Sequence, residues 1–574
     1  MWKLKHYIKP YLLTLVVVSG LVFLEVMSTL RLPDLMSRIV DEGIALGNVG
    51  LIWRVGAVML LVASAGVACS IAGSYLASRA SSGFGRDLRF AVFSRVGQFS
   101  PREFGQFGTA SLITRTTNDV QQIQQMFHMS MRMALRAPLM AVGGVLMVVR
   151  KDAQLAVILL ALIPVMAAII GFVVLKGVPL FKGLQTRLDR LSLVLREQLM
   201  GVRVIRAFNK GRDEQERFQK ANRDLTEATL RVSRMMITLM PLLGLLINFT
   251  NIVIIWFAAQ RIDAGVMQVG NLMAFLQYTM QIFMAVMMLS MIFMQLPRAS
   301  ASAERIVEVL HTEPVIKDPE TPSTLHSDRG VVQFEDVTFS YPGAAQPVLS
   351  GISFTARPGE TTAIIGGTGS GKSTILELLL RFHDPDSGRI TLDGVDIRHL
   401  SQRYLRSRLG YVPQQAVLFS GTIASNIRSG KGDAADEEVE EAARVAQALG
   451  FIKERDGGFD AEVAQGGTNL SGGQKQRLSI ARALVRKPKV YLLDDTFSAL
   501  DYKTDANLRR ELAQAAQDAA VIVVAQRVST ILHAEQILVL DAGRIVGQGT
   551  HGELLRSCRV YQEIVASQFG EEAV

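Results

Sequence analysis

Six apolar runs set the limits on what this chain can fold into. They lie near 11–31, 55–78, 133–149, 154–175, 236–260 and 271–296, and a helix of such a run crosses a hydrocarbon layer of about 30 Å. The third run is short, bounded by Arg136 and Arg150, and borrows from its apolar flank. The fourth begins after the tight Lys151-Asp152 turn, so the two read as a hairpin. Lys3, Lys5 and Lys9 precede the first run as they would in a secretory signal. That run is too long and has no small-x-small cleavage site, so it is read as the first membrane helix.

Charge orients the six spans. The N-terminus and the segments 79–132 and 178–235 are rich in Lys and Arg, whereas the connections near 32–54, 150–153 and 261–270 are shorter and less basic. Basic loops stay in the cytoplasm, which places both termini there. The two long basic segments contain few prolines and carry apolar residues at helical spacing, as in Leu188, Leu191, Leu195 and Leu199. They are expected to be helices that continue out of the membrane, with short turns around 107–113 and 208–218.

The chain has 574 residues, 49% of them hydrophobic, which is too long and too apolar for one soluble domain. Its net charge of +9 is spread over loops, with no basic patch interleaved with aromatics, so nucleic acid is not an expected partner. Cys69 and Cys558 are the two cysteines, too few for a disulfide framework or a cysteine metal site. Past Pro297 comes a polar connector through Pro314, Pro319 and Pro322 to Gly330. Beyond it, short β-branched runs (331–334, 362–365, 490–493 and 521–524) alternate with helical stretches, which predicts an α/β domain with a buried, largely parallel sheet. The expected division is a transmembrane domain over 1–300, a linker over 301–330 and an α/β P-loop domain over 331–574.

Gly366-Gly367-Thr368-Gly369-Ser370-Gly371-Lys372-Ser373 follows the apolar strand 362–365 and opens into a helical run that begins at Thr374. In that strand–loop–helix setting it is a phosphate-binding loop. Its glycines let backbone N–H groups wrap phosphates, Lys372 meets the β- and γ-phosphates, and Ser373 offers a hydroxyl to Mg²⁺. Val490-Tyr491-Leu492-Leu493-Asp494 is an apolar strand ending in a carboxylate, which places Asp494 beside that metal. Between them, Leu470-Ser471-Gly472-Gly473-Gln474 stands at the start of a helix and describes a second anion site.

A phosphate loop, an LSGGQ and an acid-ended strand in this order resemble the ATP-binding cassette family, and the six spans resemble that family's exporter half, so the likeness covers essentially the whole chain. The resemblance implies ATP and Mg²⁺ as ligands and a head-to-tail dimer in which each ATP lies between the phosphate loop of one subunit and the LSGGQ of the other (Ser471, Gly472, Gly473, Gln474). It also implies that Tyr341 stacks on adenine, that Gln414 reaches Mg²⁺ and the γ-phosphate, with the adjacent Gln415 able to substitute, that Asp501 of Ser-Ala-Leu-Asp belongs to a loop communicating across the dimer, and that the turns near 107–113 and 208–218 are coupling helices.

The pattern departs from the family in three places. Asp494 is followed by Asp495 where the family usually has a glutamate that polarises the attacking water. Gln526 of Ala525-Gln526-Arg527 stands at the position of the family's switch histidine and cannot titrate. The stretch 462–467 lacks a glutamate often found before the signature, which bears on its contact with the coupling turns. A general base must come within about 2.6–3.2 Å of its proton, and losing one costs about 10²–10⁴ in rate. The site on Lys372 is therefore expected to bind ATP and hydrolyse it poorly, while the intact LSGGQ completes the site of a different subunit. The chain resembles the degenerate-site subunit of bacterial heterodimeric multidrug exporters, multi-pass in the inner membrane with its cassette in the cytoplasm.

The expected cargo is a hydrophobic or amphipathic small molecule. Met280, Met284, Met287, Met291 and Met294 recur on one face of the last span, where flexible thioethers suit varied apolar ligands or pack between helices. Glu25 lies midway along the first span, where an ionisable group tends to face a cavity; contact with a cationic ligand or a proton, or pairing with a polar neighbour such as Asn248 or Asn251, are the expected roles. Metal chelates, peptides or lipids are alternative cargoes, and a nucleotide-gated regulator that transports nothing is the alternative outside transport.

Overall fold

A computed structural model of the chain describes residues 4–325, 327–498 and 500–569. Lys3 and Ala499 lie outside these residues, as does the end of the expected cassette domain. Among the described residues six helices are long and apolar enough to cross a membrane: Lys5–Ile44, Val49–Val96, Thr109–Lys151, Ala153–Met200, Gly211–Asp263 and Val269–His311. Each expected run sits inside one of them. At up to 53 residues and about 1.5 Å per residue they are far longer than a bilayer is thick, so the extensions are continuous with the spans. Pro33, Pro138, Pro164, Pro179, Pro241 and Pro297 sit inside these helices, a tolerance typical of membrane helices, whose neighbours satisfy the freed carbonyls.

The chain divides into two compact units. The first holds the described part of 1–97 with Thr109–Thr312, and the second holds Gln98–Gly108 with the described part of 313–574. In the first unit the opening helix packs on the second, the third on the sixth, and the fourth on the fifth. The third-to-fourth hairpin turns at Asp152, whose Oδ1 accepts from the amides of Gln154 and Leu155 while Oδ2 takes a 2.7 Å bond from Arg261 Nε.

Two turns interrupt the extensions, displaced from where spacing put them. The first covers 97–108: Pro101 opens a short helix, Pro101–Phe107, Ser100 and Glu103 form a reciprocal cap, and Gly108 leaves with φ of +73°. Residues 109–113 already belong to the next helix. The second break covers 201–210, with a short helix Val202–Ala207 and Asn209 at φ of +53°. Most of 208–218 lies in the following helix, Gly211–Asp263. Caps and positive-φ residues fix these boundaries, whereas the apolar period reads straight through them. The segment 301–330 also divides. The sixth helix continues to His311, because Ala-Ser-Ala-Glu-Arg suits a helix and Pro314 is the first residue that cannot prolong it.

The second unit is the expected α/β domain. A six-stranded sheet runs in the order Arg544–Gly549, Gln536–Asp541, Thr361–Gly366, Ala520–Val524, Val490–Asp494 and Leu409–Val412, parallel except at its Arg544–Gly549 edge. A smaller antiparallel sheet contains Val332–Phe339, Leu349–Ala356, Ser387–Leu392 and Val395–Asp396. The central strands Val490–Asp494 and Ala520–Val524 are buried along their whole length, as parallel strands covered on both faces must be. That arrangement brings the carboxyl ends of strands 361–366, 490–494 and 520–524 side by side.

Candidate functional site

The phosphate loop leaves the end of strand Thr361–Gly366 and enters the helix Lys372–Leu379 through Gly369 (φ +81°) and Gly371 (φ +95°). At Gly371 a side chain would be strained and crowded, since a Cβ would meet Leu349 Cδ2 at 2.6 Å and the Val348 carbonyl at 3.0 Å. Lys372 Nζ donates to the carbonyls of Gly366 (3.0 Å) and Gly367 (2.7 Å). Burial pulls its ammonium below the ordinary lysine range, opposed by Asp494 and Asp495. Ser373 Oγ donates to Asp494 Oδ1 at 2.9 Å. Burial pushes the Asp494 carboxyl above the ordinary range; Ser373 opposes this, and Asp495 adds to it.

The loop fits a nucleotide phosphate on its own geometry. Ser370 Oγ is buried without a hydrogen-bond partner inside the loop, Gly367 and Gly369 leave open space where a Cβ would stand, and the Ser373–Asp494 pair is the oxygen set a hard divalent cation takes. Thr374 Oγ1 lies 3.2 Å from the Tyr341 hydroxyl, which donates to Glu377 Oε2 at 2.8 Å. Tyr341 stands edge-on to Phe339 and to His383. Burial, with Glu377 adding to it, pushes the Tyr341 phenol up to about 12. Glu377 and His383 belong to no motif: Glu377 stands one turn after Thr374 in the helix Lys372–Leu379, and His383 lies beyond that helix's end, so no spacing along the chain marks it.

Asp495 follows strand 490–494 in the left-handed region, φ +46°, its amide donating to Val524 O at 2.9 Å. Its Oδ2 accepts from Gln526 Nε2 at 2.8 Å and from Gln414 Nε2 at 3.4 Å. The three residues singled out from sequence for hydrolysis thus meet at one oxygen, and Gln414, not Gln415, makes that contact. The oxygen that would have to approach the proton of an attacking water is therefore already occupied by two side-chain amide donors.

Ser471 caps the helix Gly472–Leu484: its Oγ accepts from the Gln474 amide, and Gln474 Oε1 accepts from the Ser471 amide at 3.0 Å. The helix starts at Gly472, where this reciprocal cap fixes it. Just upstream, Lys475 Nζ donates to the carbonyl of Gly466, itself at φ +66°. Asp501 caps Tyr502–Ala515 through the Thr504 amide at 3.0 Å, a bond that holds its carboxyl below the ordinary range. In the short helix Pro101–Phe107, Glu103 is 2% exposed and accepts from the amides of Ser100 (2.6 Å) and Val315 (3.3 Å).

In the membrane unit the partners of Glu25 are neither Asn248 nor Asn251. Its carboxylate is 2.9 Å from Arg136 Nη1 and 3.6 Å from Arg132 Nη2, both on the third helix. Arg136 marked the edge of the third span in the sequence, but nothing in its spacing pairs it with a residue more than a hundred positions earlier. Met280, Met284 and Met291 are about half exposed on the last helix and Met287 is half-buried, so these four are not a packed seam within the chain. The Met294 side chain lies outside the described residues.

Residues 15–286 match the ABC transporter transmembrane region and residues 349–498 match the ABC transporter family. An uncharacterized ABC transporter ATP-binding protein of Mycobacterium tuberculosis is 45% identical over 98% of this chain and 97% of its own length. One from Bacillus subtilis is 40% identical over 100% of this chain and 99% of its own length. A fatty acid ABC transporter ATP-binding/permease protein of Mycobacterium bovis is 34% identical over 83% of this chain and 75% of its own length. A solved bacterial Atm1-family ABC exporter with ATP bound superposes with a TM-score of 0.81 at 28% identity, covering 98% of this chain and 99% of that one. With six membrane-length helices leading into a cassette that carries the phosphate loop, this chain belongs to the ABC transporters, as an exporter half-transporter.

Proposed function

We propose that this chain is the weakly hydrolysing subunit of a heterodimeric exporter in a bacterial inner membrane, moving hydrophobic or amphipathic small molecules outward. The observation that carries the reading is the Asp495 carboxylate, one methylene shorter than glutamate and held at Oδ2 by the amides of Gln526 and Gln414. In this reading Lys372, Ser370 and the loop amides bind the nucleotide phosphates, Ser373 and Asp494 hold Mg²⁺, and Tyr341 supports the base. ATP, when bound, supplies the phosphoanhydride bond whose cleavage resets the transporter. The local chain lacks a well-placed base for that cleavage, so Ser471–Gln474 serves instead to complete the opposite site, whose base belongs to the companion. The half-exposed methionines and the fatty-acid name of the Mycobacterium bovis relative favour an amphipathic cargo.

Co-expression with the companion half-transporter tests the asymmetry through ATPase activity. Asp495→Ala is expected to lower the rate by less than about threefold, whereas removing the glutamate at the matching position of the companion lowers it by about 10²–10⁴. Equal and severe losses would contradict the reading.

A further inference from the structure

A cavity of about 540 Å³ opens between the second, third and sixth membrane helices. Arg132, Arg136, His128 and Gln124 supply its polar wall, and Met129, Met133 and Met288 its apolar one. Glu25 lies behind the arginines, 5% exposed, and is consumed by both. Arg132 also donates to Ser74 and, at 3.2 Å, to Ser70. The arginine side chains stay 21% and 30% exposed, with five donors each and one carboxylate to share. The cluster therefore shows the cavity one positive charge in excess. Such a charge inside a helix bundle is costly and marks a ligand path, and the volume lies within the range of small-molecule sites. Glu25 does not serve as a counter-ion for a cationic ligand, which would meet guanidinium first.

We propose that this cavity takes the head group of a single-chain anionic amphiphile, a carboxylate or phosphate monoester, with Arg132 and Arg136 on the head and the methionines against the start of the tail. The inference names a cargo class for the exporter reading and rests on it. Planar guanidinium forks match both head groups in geometry and charge, while Glu25 sets their spacing and keeps the empty site foldable. Thioethers adapt to tails of differing length.

The test is equilibrium binding of radiolabelled hexadecanoate, hexadecyl phosphate, hexadecanol and hexadecylammonium to the full-length chain in phosphatidylcholine nanodiscs without nucleotide. The acid and the phosphate are expected to bind about tenfold to a hundredfold tighter than the alcohol, and the ammonium most weakly. Glu25→Gln frees both guanidiniums and is expected to tighten hexadecanoate several-fold, Arg136→Gln to weaken it about tenfold, and Glu25→Gln/Arg132→Gln/Arg136→Gln to erase the head-group preference while keeping hexadecanol. Phosphatidylglycerol in the bilayer should leave hexadecanoate bound; its displacement would show that a bilayer lipid, not a free amphiphile, is the ligand and would overturn the cargo assignment. Ammonium binding as tight as the acid, or loss of acid binding in Glu25→Gln, would also overturn it. The head-group series in the unmodified chain decides the matter even where a variant misfolds. Because ATP turnover plays no part in the measurement, failure here leaves the unequal-site reading standing, and failure of that reading leaves this result intact.

Discussion

Replacing Asp495 by glutamate and Gln526 by histidine should turn the chain's own nucleotide site into a working one. The geometry sets the magnitude. Asp495 Oδ2 is 2.8 Å from Gln526 Nε2 and 3.4 Å from Gln414 Nε2, and the backbone is pinned by the 2.9 Å bond from the Asp495 amide to Val524. A glutamate on that backbone extends the carboxylate by about 1.5 Å, more than twice the roughly 0.6 Å width of the distance range in which a general base acts. One methylene therefore decides between reach and no reach. Histidine at 526 adds a side chain able to hold a proton near neutral pH, which an amide cannot. The double variant should raise hydrolysis by the full-length chain alone in nanodiscs by about 10²-fold, close to 2.7 kcal/mol of barrier. Asp495→Glu by itself should gain nearer tenfold, since Gln526 still occupies the new carboxylate. Glutamate tolerates φ of +46° less well than aspartate, so a lower melting temperature is expected alongside the faster rate. Phosphate release at saturating Mg-ATP is the assay, and Ser471→Ala on the gained background should remove the increase by spoiling the opposing face. Unchanged turnover in a double variant that still binds ATP would falsify the reach argument.

Two further outcomes follow from the cassette. Gly371→Ala puts a methyl 2.6 Å from Leu349 Cδ2 on a residue at φ of +95°, so a loss of about 2–4 kcal/mol is expected in denaturant unfolding, together with ATP binding weakened beyond detection by a fluorescent nucleotide; normal binding would show that the loop yields. Tyr341 is held protonated by burial and Glu377, with its pKa raised to about 12. The sign is that of a raised pKa: the stabilisation is complete below the ordinary tyrosine value of about 10 and is lost as pH rises through about 12. Phenolate absorbance of Tyr341→Phe against the parent chain should show one tyrosine missing from the titration only above pH of about 11, and a difference already present near 10 would refute the burial argument.

Much of this protein could be read along the chain because its strongest signals are local. Six apolar runs give six helices for the reason that a bilayer forces every backbone amide into an internal bond, and a strand ending in glycines and Lys372-Ser373 leaves few other folds. The sites of the turns were misplaced by several residues because caps decide them: Ser100 with Glu103, Gly108 and Asn209 outweigh an apolar period that runs straight on. Pro297, a breaker in water, is tolerated inside the sixth helix, which ends only at His311, so composition alone does not mark where that helix stops.

What sequence alone determined is the list of parts and their order: a membrane half, a cassette, a phosphate loop, a signature helix, and an aspartate and a glutamine where a stronger base and a titratable ring are usual. What the tertiary structure decided is which of those parts touch. It set the amides of Gln526 and Gln414 on one oxygen of Asp495, and it gave Glu25 to Arg132 and Arg136 rather than to an asparagine. Such pairings join residues tens to a hundred positions apart, where no periodicity links them, and packing alone brings them within the few ångströms over which hydrogen bonds and ion pairs act.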